Sequence, residues 1–145
     1  GQLITCTQRW DSADYTVQIF DKDGKHLKAI PITFPRKGII HDLQITENYV
    51  IVFYAPAFHS LEKAMKGEDP FMWEPELGTK IIAIARDGSG NNLEFETDAF
   101  FSWHFCNGYE QDDNQHTQHH DLRQQRIIIV NSADLKQKVY VFIAT

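Results

Sequence analysis

Cysteine is almost absent from this chain: Cys6 and Cys106 are the only two in 145 residues. They stand in no CxxC pair and are too few for the disulfide framework of a small secreted domain, so a reducing, cytoplasmic setting is expected. Basic residues are also scarce, 14 Lys and Arg against 20 Asp and Glu for a net charge of -6, and they gather into no run. That balance offers phosphate backbones no attractive field and sets nucleic acid aside as a partner. Long apolar runs are missing too. The longest, residues 49–58, is about half of the roughly 20 residues that a membrane-spanning helix needs. No Gly-x-Ser-x-Gly elbow, phosphate-binding glycine loop or dinucleotide fingerprint occurs, which removes the signatures of many hydrolases and nucleotide enzymes. The chain opens without methionine or signal peptide, directly in the strand-like Gly1-Gln2-Leu3-Ile4-Thr5-Cys6-Thr7, and reads as a piece of something longer.

What is present is a run of short strand patterns. With 42% hydrophobic residues the chain can bury one modest core. Asp14 to Pro35 reads as a hairpin in which Tyr15, Val17 and Ile19 alternate with polar residues. Asp21-Lys22-Asp23-Gly24-Lys25 supplies its turn, and Leu27, Ala29 and Pro31 lead the return. A second hairpin pairs Ile39–Ile45 with Tyr49–Tyr54 across Thr46-Glu47-Asn48. Between Phe58 and Gly67 the spacing of Phe58, Leu61, Ala64 and Met65 predicts one short helix. Strands follow at 80–85, 93–97 and 100–106, and again at 127–130 and 139–144, with a turn at 131–134. Glu110 to Arg126 is polar and reads as a long loop. Roughly ten short strands at this spacing predict an all-β sandwich, barrel or part of a propeller, with one helical insertion.

Two of these strands carry a histidine each. Alternation puts His41 on a face with Ile39, Leu43 and Ile45, and puts His104 on a face with Ser102 and Cys106, opposite Phe101, Trp103 and Phe105. A histidine on a dry face fits either a hydrogen-bonded core residue or a metal ligand, because a metal on one ring nitrogen and an acceptor on the other satisfies both. Two imidazoles suit Zn, Cu, Ni or Fe(II) but leave any of them short of ligands. The other cluster, His116, His119 and His120, has no apolar neighbour to fix its geometry and reads as a solvated loop. Cys106 and His104 lie about 6.5–7 Å apart along a strand, too far for direct proton transfer to a nucleophile.

At these residues the chain resembles the carotenoid cleavage oxygenase family, non-haem iron dioxygenases acting on carotenoids, apocarotenoids and stilbenes. Ile40-His41-Asp42 with Ile45-Thr46 is similar to the family's motif around its second iron histidine. His104-Phe105-Cys106-Asn107-Gly108-Tyr109-Glu110 is similar to the His-x-x-Asn-Ala-x-Glu motif around the third, with Gly108 in place of alanine as a mild change. Trp73-Glu74-Pro75-Glu76-Leu77-Gly78-Thr79-Lys80-Ile81 and Arg86-Asp87-Gly88 resemble the segment between them.

The resemblance implies a seven-bladed β-propeller with Fe(II) on its axis, of which this chain would supply two to three blades. His41 and His104 would be metal ligands, Asn107 and Glu110 would support the His104 strand, and no catalytic side chain is assigned. Residues 1–110 would form the blades bearing both histidines, 111–126 a polar loop and 127–145 further strands of the same domain. The complete protein would cleave a conjugated double bond of an apolar polyene with O2, whereas the isolated segment would be inactive. The rival expectation is a truncated or diverged β module that binds apolar ligands or a partner chain. A small closed β-sandwich with two structural histidines is a third. Peripheral membrane contact and self-association stay open as partners.

Overall fold

The computed structural model describes residues 1–9, 12–112, 125–132 and 138–144, with side chains through Glu110. Twelve strands in this part of the chain form three antiparallel sheets and one hairpin. The first sheet has the order β1 (Gln2–Gln8), β2 (Asp14–Asp21), β3 (His26–Thr33). The second is four-stranded, β4 (Leu43–Ile45), β5 (Tyr49–Tyr54), β8 (Thr79–Ala85) and β9 (Leu93–Thr97). The third is β10 (Phe105–Asp112), β11 (Gln125–Ser132) and β12 (Lys138–Ala144). Between β5 and β8 are inserted the small hairpin of β6 (Ala57–His59) with β7 (Phe71–Trp73), and the helix α1 (Leu61–Met65). No helix among the described residues is long and apolar enough to cross a membrane.

The second sheet is the middle layer. Val50, Val52, Ile82 and Ile84 on one face pack with Tyr15, Val17, Ile19, Ile32 and Phe34 on the first-sheet side. Ile51, Phe53, Ile81 and Ala83 on the opposite face pack with Leu93, Phe95, Phe100 and Phe105. Burial on two faces explains why β5 and β8 read as unbroken apolar runs, Tyr-Val-Ile-Val-Phe-Tyr and Ile-Ile-Ala-Ile-Ala, and not as alternating ones. Short antiparallel sheets stacked face to face in chain order are the arrangement of propeller blades.

Several sequence expectations are revised. In the first hairpin the inward residues of β3 are Lys28, Ile30 and Ile32, not Leu27, Ala29 and Pro31. Directly opposed residues share a face, and the register pairs Tyr15 with Ile32, Val17 with Ile30 and Ile19 with Lys28. An irregularity between Ile19 and Phe20 then places Leu27 out of the ladder. The helix is shorter than expected, because Phe58 belongs to β6 and is buried there. Ser60 caps α1 by accepting from the Lys63 N–H, and none of its residues is buried, with Leu61 and Met65 fully on the outside.

The two histidine segments also differ from expectation. Only Leu43–Ile45 of the predicted strand 39–45 joins the ladder, and the predicted strand 100–106 begins only at Phe105. At 100–104 side chains take backbone groups that a ladder would use, and in 39–42 the Ile39 N–H donates to the Ala57 carbonyl of the inserted hairpin at 3.0 Å. Asp42 accepts from Leu43 N, while Thr79 Oγ1 exchanges hydrogen bonds with Phe100 N and O at 3.0 Å, and Ser102 Oγ donates to His104 O. Further on, β10 continues to Asp112 and β11 begins at Gln125, so strand extends into both ends of the polar stretch. Asn131 and Ser132 of the turn expected at 131–134 belong to β11, while the rest of that turn and His116, His119 and His120 lie outside the described residues.

Candidate metal centre

The first strands of the second and third sheets, β4 and β10, contact each other, and each is preceded by one of the histidines. The rings of His41 and His104 meet edge to face, with centroids 5.1 Å apart and planes at 71°. Trp103 packs edge-on against His41 at 4.8 Å and against Phe101 at the same distance. Both imidazoles are exposed, which corrects the expectation of dry faces. Each sits on the irregular segment leading into its strand, where neither sheet face covers it.

One carboxylate ties the two segments. Asp42 accepts from Leu43 N through Oδ1 at 2.8 Å and from Phe105 N through Oδ2 at 2.9 Å. The acceptor therefore follows one histidine directly, and one of its donors follows the other. Phe105 in turn stacks on Phe53 at 4.2 Å, anchoring the His104 segment to the buried face of β5.

A second carboxylate fixes the far end of the same seam. Glu110 on β10 accepts from Thr46 Oγ1 at 2.6 Å and Asn48 N at 2.7 Å through Oε1, and from Asn48 Nδ2 at 2.7 Å through Oε2. The turn that it holds is gripped from the other side by Arg86, whose Nη1 donates to the carbonyls of Thr46 and Glu47 and whose Nη2 donates to Gln2 Oε1. Glu110, the 46–48 turn, Arg86 and Gln2 thus link all three sheets. Asn107 is exposed and follows a bulge between Phe105 and Asn107 that puts Cys106 out of step with the ladder. That irregularity breaks the alternation by which Cys106 and His104 were expected to share a face.

Gly108 proves more constrained than an alanine-to-glycine exchange suggests. A Cβ there would lie 2.3 Å from Gln44 Cγ. Gln44 crosses directly above the glycine, and with its amide oxygen toward the backbone accepts from Gly108 N and Ile45 N at 3.2 Å.

Two imidazoles on one ion can be tested for fit from bond lengths alone. With the ion about 2.1 Å from nitrogen, each ring centroid stands about 3.2 Å away, so adjacent ligands at 90–110° have centroids about 4.5–5.3 Å apart. The 5.1 Å separation falls inside that range. Neutral nitrogen donors of this kind suit Fe(II) among other first-row ions. Among the described residues no group of three or more His, Cys, Asp or Glu side chains is gathered for a metal. A surface recess of about 470 Å³ includes Glu47, Asn48, Arg86 and Asp87 but neither histidine.

Asp42, Thr46, Asn48 and Arg86 were not singled out from sequence. Asp42 and Thr46 stood in the same motif as His41 and Arg86 in a matched tripeptide, but Phe105, Glu110 and Gln2, with which they bond, come from other sheets and only folding pairs them.

The stacked sheets place this chain in the β-propeller class, and solved structures agree. The lignostilbene dioxygenase of Pseudomonas brassicacearum superposes with a TM-score of 0.61 over 99% of this chain and 32% of its own, at 18% identity. Cobalt-substituted Synechocystis apocarotenoid oxygenase gives 0.63 over 96% of this chain and 34% of its own, at 20% identity. The family model described as retinal pigment epithelial membrane protein matches residues 1–141, and the chain belongs to that family, the carotenoid cleavage oxygenases. Among curated relatives, isoeugenol monooxygenase of Pseudomonas nitroreducens is 33% identical over 67% of this chain and 20% of its own length. Carotenoid cleavage oxygenase 1 of Neurospora crassa is 33% identical over 68% and 19%. The chain spans about a fifth of the length of these curated relatives.

Proposed function

We propose that this chain is the segment of a non-haem Fe(II) oxygenase that contributes two of the iron's histidine ligands, His41 and His104. The observation that carries the reading is their 5.1 Å ring separation on the segments leading into neighbouring strands of a family member. Residues 1–110 act as the blades that bear the ligands, and the strands beyond 126 extend the same domain. A ferrous ion held by His41 and His104 together with ligands from the rest of the protein would supply the chemistry that activates O2. The complete protein converts one carbon–carbon double bond and one O2 into two carbonyl groups, with every atom retained in the products.

The chain's own residues hold and orient. His41 and His104 present neutral nitrogens, Asp42 and Glu110 brace the strands that carry them, and Trp103 with Phe101 forms an aromatic wall beside His41. Such a wall suits a flat, conjugated, apolar substrate, whose π faces stack on aromatic rings. The substrate class is an alkene conjugated to a polyene or an aromatic ring: a carotenoid, an apocarotenoid or a stilbene. The names of the relatives, isoeugenol monooxygenase and resveratrol cleavage oxygenase, favour the aromatic end of that range.

The test is made on the complete protein. His41→Ala and His104→Ala are each expected to lower bound iron and to abolish O2-dependent cleavage when isoeugenol, resveratrol and an apocarotenal are offered in turn. Full iron content in both variants overturns the reading.

A further inference from the structure

One side chain bridges the backbone of the two histidine-bearing stretches. Asp42 uses one oxygen for the N–H of Leu43 and the other for the N–H of Phe105, at 2.8 and 2.9 Å. Those peptide groups adjoin the two histidine-bearing stretches, one following Asp42 and the other following His104. The stretches 39–42 and 101–104 make no ladder of their own, so backbone hydrogen bonding does not set their spacing there. A carboxylate suits the position because it accepts on each oxygen and donates on neither. An amide would turn its NH2 toward one of the two N–H groups.

We propose that Asp42 is a positioning residue that sets the spacing of His41 and His104. The proposal deepens the iron-ligand reading and rests on it only for the metal readout. Outer partners of ligating residues typically change metal affinity by about 10–100-fold when removed. Loss of Asp42 frees the Phe105 N–H and lets the His104 stretch move away from His41.

The experiment uses the complete protein with Co2+ as probe, reading its visible absorption and affinity against the His41→Ala/His104→Ala double variant, so that other histidines cancel. In parallel, hydrogen exchange is measured at the Phe105 amide. Asp42→Ala should weaken the histidine-dependent Co2+ binding at least tenfold, shift its bands, and speed Phe105 exchange. Asp42→Asn, which keeps one acceptor, should fall between, and it decides the matter if the alanine variant does not fold. Ile84→Val is the stability control on the far face of β8, and should leave the bands unmoved. Wild-type affinity and bands in the Asp42 variants overturn the proposal. If the wild-type complete protein binds no Co2+ through these histidines, the iron reading falls by itself. Asp42 is then judged by Phe105 exchange, which must quicken at least tenfold in the variants, and unchanged protection overturns it.

Discussion

The middle of the second sheet and the histidine edge belong to one short chain but obey different physics. Val50 to Phe53 and Ile81 to Ala85 are buried on two faces, and hydrophobic transfer and close packing hold them. His41, Trp103 and His104 are exposed, and what fixes them is a small number of directed bonds: Asp42 to two backbone N–H groups, Glu110 to a turn. Where many weak contacts act together, one lost contact is diluted. Where two or three hydrogen bonds act, each one matters to geometry even if it contributes modestly to stability. The same chain therefore has a robust interior and an adjustable edge.

Substitutions that cross this boundary should break the contrast most. Phe53→Ala removes a buried ring that also stacks on Phe105, and a cost of about 3–5 kcal/mol in urea unfolding is expected. A value below about 1 kcal/mol would mean that the middle layer is loosely packed.

At the edge the expected costs are smaller. Glu110→Ala leaves the Thr46 hydroxyl and two Asn48 donors without their acceptor, for a loss of about 2 kcal/mol, since hydrogen bonds to charged groups contribute about 1.5–3 kcal/mol. Glu110→Gln should cost less, because it keeps the oxygen that serves Thr46 and Asn48 N, and the Asn48 amide can turn over to meet the new NH2. Equal losses in the two variants would show that charge, not bond geometry, is what matters.

The Gly108 seam sharpens the comparison through coupling. Gly108→Ala should destabilise by about 1–3 kcal/mol, as overpacking does, and most of that cost should vanish in the Gln44→Ala background, where the atom it strikes is gone. A double-mutant cycle with no coupling energy would contradict the contact.

Alkali separates interior from edge without mutation. Burial pushes the Cys6 thiol from its usual 9.0 up to about 11, and the Tyr15 phenol from 10.0 up to about 12. Each group is neutral when protonated and burial favours that form, so its folded pKa lies above its unfolded one. The stabilisation is complete below the unfolded value and is lost as pH rises, over about 9–11 for Cys6 and 10–12 for Tyr15. The urea midpoint should hold steady to about pH 9 and then fall, and Cys6→Ser should flatten the first part of the decline. A midpoint constant to pH 11 would refute the burial argument. The smallest effect is expected on the inserted helix, where Met65 is 80% exposed and Met65→Ala should change stability by less than about 0.5 kcal/mol.

By itself the sequence determined most of the longer strands and the membership. Alternation in β2, the Asp21–Lys25 turn with Gly24 at φ 82°, and the unbroken apolar runs of β5 and β8 are local signals that need no knowledge of the rest of the chain. So are the motifs at His41 and His104, which carried the family and hence the propeller. Facing and exposure were decided only by tertiary structure. Leu27 and Ile30 are equally apolar, and only the pairing with β2 and its bulge turns one out and the other in. Phe58 kept helical spacing with Leu61 and Met65, yet pairing with β7 drew it into a strand. Phe105, the second donor to Asp42, and the partners of Glu110 lie more than sixty residues away along the chain, in a neighbouring sheet, and no periodicity records them. Local patterns report what a residue can do with its own neighbours, whereas the spacing of two histidines on separate blades is a property of how those blades stack.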